Sequence, residues 1–130
     1  KFKDPPSERA NADATAYKIA SYHRISDLGH VKAALAEGNP VIFGFYVYES
    51  FESETVARTG ICPKPKKNEQ LLGGHAVIAV GYEDSLRGGK IIVRNSWGAS
   101  WGKQGYFTMA YDVFKLLAMD MWIGLMKPSK

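Results

Sequence analysis

Cysteine is almost missing from this chain: Cys62 is the only one in 130 residues, so no intrachain disulfide can form and any thiol chemistry within the sequence falls to one side chain. No apolar run approaches the ~18 residues of a membrane helix, and the opening Lys1-Phe2-Lys3-Asp4-Pro5-Pro6 is not a signal peptide. A membrane partner is therefore not expected, and the compartment stays open. Charge is modest too, at +4 with a pI near 9.2. The one tight basic cluster, Lys64, Lys66 and Lys67 around Pro65, reads as a solvated loop with an anionic partner site as its rival. Nucleic-acid binding would need a broader basic face with interleaved aromatics, so no nucleic acid is expected. His23 and His30 have no second metal-type residue at ligand spacing, and no metal is expected. What the chain does have is 45% hydrophobic and 12% aromatic content, enough for one folded unit with a real core.

Along the chain, residues 1–17 are polar and small, with Pro5-Pro6 and Ala10-Asn11-Ala12-Asp13-Ala14, and read as an irregular linker. Lys18 to Ile25 is compatible with a short strand. Ser26 or Asp27 can cap a helix whose Leu28, Val31, Ala34 and Leu35 follow helical spacing and which Gly38-Asn39-Pro40 stops. Pro40 to Tyr48 then reads as an apolar strand in which Gly44 marks a bulge or a close backbone approach. Glu49 to Glu54 suits one helical turn anchored by Phe51, and Thr59 to Gln70 a loop. Gly105 to Met109 reads as a strand, Tyr111 to Ala118 as a turn of helix, and Met119 to Leu125 as an edge or closing strand with Trp122 inward. One early helix among several antiparallel strands gives an α+β, β-dominated domain.

Two apolar stretches carry the chemistry. The first, Leu71-Leu72-Gly73-Gly74-His75-Ala76-Val77-Ile78-Ala79-Val80-Gly81-Tyr82, holds a histidine that an ordinary sheet core does not need. The second, Ile91-Ile92-Val93-Arg94-Asn95-Ser96-Trp97-Gly98, ends its apolar run in an asparagine. If Ala76 to Tyr82 and Lys90 to Asn95 pair as a hairpin across Glu83 to Gly89, His75 and Asn95 meet at one end of the ribbon. An amide oxygen accepting from one imidazole nitrogen fixes the tautomer and leaves the other nitrogen for a thiol.

Gly73-Gly74-His75-Ala76-Val77, Val80-Gly81-Tyr82, Arg94-Asn95-Ser96-Trp97-Gly98, Trp101-Gly102 and Gly105-Tyr106-Phe107 together resemble, in order and spacing, the C-terminal half of a papain-like cysteine peptidase. The resemblance spans roughly residues 26–125. It implies that residues 18–130 form the β-rich, barrel-like lobe, with residues 1–17 crossing from an N-terminal helical lobe absent from this sequence. It further implies catalytic roles for His75 and Asn95, with the Trp97 indole shielding their hydrogen bond from water. Substrate contacts would fall to Gly74, Ala76, Phe43 and Gly44, the last two bordering the pocket for the substrate side chain two residues before the scissile bond. For Phe43 and Phe45, simple core burial is the competing reading.

In that family the nucleophilic Cys lies ~130–150 residues before the His. Cys62 sits in the wrong place, in a loop without the helix N-terminus that would depress a thiol pKa, and reads as a non-catalytic thiol. The resemblance thus implies one half of an endopeptidase acting on peptides or proteins, with the Cys-bearing lobe as its partner and no cofactor. The fragment alone would be inactive, and it would self-associate through an exposed cleft face that includes Ala76 and Trp97. A non-catalytic homologue kept as a binding module is the alternative.

Overall fold

The computed structural model describes residues 3–126. Its elements run α1 (Glu8–Ala14), a 3-10 turn (Thr15–Tyr17), β1 (Ile19–Ile25), α2 (Leu28–Ala36), β2 (Val41–Tyr48), a second 3-10 turn (Glu49–Glu52), α3 (Glu54–Thr59), β3 (Leu71–Ser85), β4 (Gly88–Arg94), β5 (Tyr106–Ala110), α4 (Tyr111–Leu117) and β6 (Ala118–Met126). All strand pairings are antiparallel, in the spatial order β1-β6-β2-β3-β4-β5. β6 is therefore an interior strand, not an edge.

Strand periodicity decides which face is core. In β2 the residues Val41, Phe43, Phe45 and Val47 are buried, while Ile42, Gly44 and Tyr46 point the other way. Val77, Ala79, Ile91, Val93, Phe107 and Met109 continue the buried face across β3, β4 and β5. Val31 and Ala34 of α2, Val56 of α3, and Val113, Phe114 and Leu117 of α4 close over it. Asp27 caps α2, its Oδ1 accepting from the His30 amide at 2.8 Å, and Gly38 at φ 84 lets the chain turn out of the helix.

Four further expectations are corrected. Residues 8–14 are helical because Ser7 caps them, accepting from the Ala10 amide at 3.2 Å; the helix buries nothing, so it leaves no apolar periodicity to read. The β3–β4 ribbon runs further, with Glu83, Asp84 and Ser85 paired to Lys90, Gly89 and Gly88 and the turn confined to Leu86-Arg87. Phe43 is wholly buried, stacked edge-on against Phe114 at 5.1 Å, and offers a substrate no surface. Trp122 faces outward, because β6 takes three steps from Met119 to Trp122 where β2 takes two from Gly44 to Ile42. The extra residue is absorbed at Asp120, which has φ 52, so Met121 and Ile123 meet the core while Trp122 meets Tyr22 and Arg24 on the other face.

Candidate active site

β3 carries His75 opposite Phe45 of β2, and the chain leaving β4 carries Asn95. The Asn95 amide donates to the Gly105 carbonyl at 2.9 Å, which pins the turn just after β4. From there Asn95 Oδ1 lies 2.9 Å from His75 Nε2 and also accepts from the Ser96 amide at 2.8 Å. An amide oxygen can only accept, so Nε2 carries the proton and Nδ1 is the nitrogen left to act.

Aromatic rings enclose this pair. Trp97 stacks on His75 with centroids 5.0 Å apart and planes at 23°, and Phe45 meets the imidazole from beneath at 5.9 Å. Trp97 is in turn held by Phe51 at 5.6 Å and Trp101 at 5.1 Å. Asn95 is 8% exposed, so its bond to His75 lies in a low-dielectric setting that strengthens it. Its Nδ2 is buried with no partner among the described residues.

On the outward face of the sheet, Ile42, Ala76, Ile78, Arg94, Asn95 and Ser96 line an open groove of about 490 Å³ beside this pair. Next to it lie the small residues Gly44, Gly74 and Ala76, Gly44 paired with Ala76 and Gly74 with Tyr46. The Met119 side chain of β6 packs over both glycines: a Cβ added to Gly74 would come within 3.1 Å of Met119 Cε, and one added to Gly44 within 3.4 Å of Met119 Cγ. Sequence reasoning missed Met119, because only the unforeseen bulge at Asp120 relates its face to that of Trp122.

Cys62 is 4% exposed, and burial pushes its thiol up from 9.0 to about 12. A thiol so placed stays protonated and is no nucleophile at neutral pH. Among the described residues no group of three or more His, Cys, Asp or Glu could hold a metal, and no helix is long and apolar enough to cross a membrane.

The family profile of papain family cysteine proteases matches residues 3–122. The chain belongs to that family. It is 42% identical to an uncharacterised peptidase C1-like protein of Acanthamoeba polyphaga mimivirus, over 95% of this chain and 42% of that one. The solved structure of xylellain, a cysteine protease from Xylella fastidiosa, superposes with a TM-score of 0.82 at 42% identity, covering 95% of this chain and 46% of xylellain. The bromelain protease of Ananas comosus shares the fold alone, at TM-score 0.59 and 22% identity over 84% of this chain and 51% of bromelain. This chain thus spans less than half the length of the first two relatives, and its largely antiparallel sheet is the C-terminal lobe of the papain-like fold.

Proposed function

We propose that this chain supplies the acid-base half of a cysteine peptidase, with the nucleophilic Cys on an N-terminal lobe outside this sequence. The observation that carries the reading is the His75 Nε2 to Asn95 Oδ1 bond, which commits one imidazole nitrogen and leaves Nδ1 for acid-base work, while Asn95 itself borders an open groove. Residues 1–17 would cross between lobes, in keeping with a helix there that buries nothing. The groove along Ile42, Ala76 and Ile78 would seat the Cys-bearing segment.

In the assembled enzyme a thiolate attacks the peptide carbonyl carbon, a C–S bond forms, and the carbonyl pair moves to oxygen. As the C–N bond breaks, imidazolium Nδ1 of His75 gives its proton to the leaving amine. Water then attacks the thioester with His75 as base, releasing the acid and restoring the thiolate. Asn95 holds the ring in position, Trp97 keeps water from the hydrogen bond, and Gly74, Ala76 and Gly44 border the substrate.

The first test is the natural coding sequence upstream of Lys1. An in-frame extension of about 100 residues or more, holding a Gln followed by Cys-Gly-Ser-Cys-Trp, supports the peptidase. A replaced Cys there would instead make the lobe a binding module. In the whole enzyme, His75→Ala should lose orders of magnitude in turnover, and near-native turnover would defeat the assignment.

A further inference from the structure

Lys66 and Lys67 play no part in the machinery above, yet their loop borders a defined cavity. The loop ends against the second 3-10 turn, where the Glu49 amide donates to the Gln70 carbonyl at 3.2 Å and the Gln70 amide to Glu49 Oε2 at 3.3 Å. Glu69 is committed to backbone as well: Oε2 accepts from the Lys66 amide at 2.8 Å and Oε1 from the Ser50 amide. Glu49, Ser50, Lys66, Lys67, Asn68 and Glu69 enclose about 590 Å³. The carboxylates staple the loop, whereas both lysines are exposed; the Lys66 charge acts on Glu69 but makes no close ion pair with it, and Lys67 has no close ion pair among the described residues. Glu49 and Glu69 are thus held against backbone amides, and the lysines are the cavity's exposed cations.

The cavity also lies near the catalytic pair. Phe45 is paired with His75, and Glu49 follows Phe45 by four residues, a reach of roughly 13 Å at strand spacing. The same 3-10 turn carries Phe51, whose ring touches the Trp97 indole that covers His75. The small-residue patch of Gly44 and Gly74 under Met119 lies toward β6, on the other side of His75 from Trp97. If the substrate's acyl side lies against that patch, its leaving-group side passes Trp97 toward the lysines.

We propose that Lys66 and Lys67 bind a carboxylate of the peptide substrate on the leaving-group side, roughly three or four residues beyond the scissile bond. This rests on the peptidase reading and extends it to specificity. The carboxylate comes either from an acidic side chain or from the peptide's own C-terminus. The first makes the cavity an endopeptidase subsite, and the second makes it an anchor for trimming chain ends.

The test measures kcat/KM of the whole enzyme on matched peptides, with Asp or Glu against Asn or Gln at each of the four positions after the scissile bond. A second arm compares free with amidated C-termini, which separates the two sources. We expect a preference of about five- to tenfold for the carboxylate, residing in KM, weakened by salt and abolished in the Lys66→Gln, Lys67→Gln double variant. No preference in either arm, or one that survives the double variant, overturns the proposal. Fluorescence anisotropy of the same peptides, fluorescein-labelled, on the His75→Ala enzyme reads binding without turnover. An enzyme inert to every peptide that still binds carboxylate peptides more tightly would sink the peptidase reading and keep the carboxylate site. Equal binding of Asp and Asn peptides, and of free and amidated ends, would sink the site itself.

Discussion

Asn95, the side chain proposed to orient His75, is held at some expense to the fold. Its oxygen serves both His75 and the Ser96 amide, while its buried Nδ2 has no acceptor among the described residues, an arrangement that costs about 1–3 kcal/mol. Asn95→Ala removes two hydrogen bonds and this orphaned donor together. Stability by urea titration should therefore move by only about 1 kcal/mol, whereas turnover of the whole enzyme should fall roughly 100-fold, less than for His75→Ala. A large stability loss with little change in turnover would make Asn95 a structural residue. Gln104, at φ 56 in the turn that leads to Gly105, is a second residue under constraint. Gln104→Gly should stabilise by about 0.5–1 kcal/mol, as relief of the left-handed conformation outweighs the added chain entropy; a lower denaturation midpoint would contradict this. The meeting of His75 and Asn95 was legible because the pairing of two apolar runs as a ribbon brings both to one end. Gln104 was not, since nothing about a glutamine marks a left-handed backbone.

Among the elements, β6 shows most clearly how an irregularity shapes the site. The extra residue at Asp120 lets Met119 and Trp122 share the outward face, although three positions apart they would fall on opposite faces of a regular strand. Asp tolerates φ 52 and adds a bond, its Oδ1 accepting from Trp122 Nε1 at 2.9 Å. A β-branched residue does not tolerate it, so Asp120→Val should cost about 1–2 kcal/mol while Asp120→Gly stays within about 0.5 kcal/mol. Equal midpoints for the two variants in denaturant would show that the backbone there is not fixed. Period-two alternation made β2 readable, along with the central part of the β3–β4 ribbon. It failed where both faces are solvated, as at Glu83-Asp84-Ser85, and where an inserted residue shifts the phase, as at Asp120. It also had nothing to say about α1, whose caps and small residues carry no apolar stripe.

For the whole molecule, one buried thiol and one uncovered sheet face set the solution behaviour. Above pH 9.0 the unfolded chain loses the Cys62 proton, while the folded chain keeps it until about pH 12. The folded state then binds more protons, and stability should fall by about 1.4 kcal/mol per pH unit across that window. Cys62→Ala should lack this share of the alkaline loss, and parallel curves for wild type and variant between pH 9 and 12 would count against it. The uncovered face is the stronger influence at neutral pH. Ile42, Tyr46 and Val80 are 46%, 44% and 41% exposed on strands whose other faces carry buried core residues, and Ile42 lines the groove that Asn95 borders. A lobe with such a face in water lowers its free energy by covering it, either with the segment proposed to carry the nucleophile or, when that is absent, with a second copy. The isolated chain should therefore show a mass that rises with concentration in sedimentation equilibrium. Ile42→Lys puts a charge in the middle of the face without touching the buried side of β2, and it should hold the chain monomeric at an unchanged melting temperature. A wild-type chain that stays monomeric at high concentration would mean that the exposed face is too small or too polar at its rim to drive pairing, and the same weakness would then apply to its proposed grip on the missing lobe.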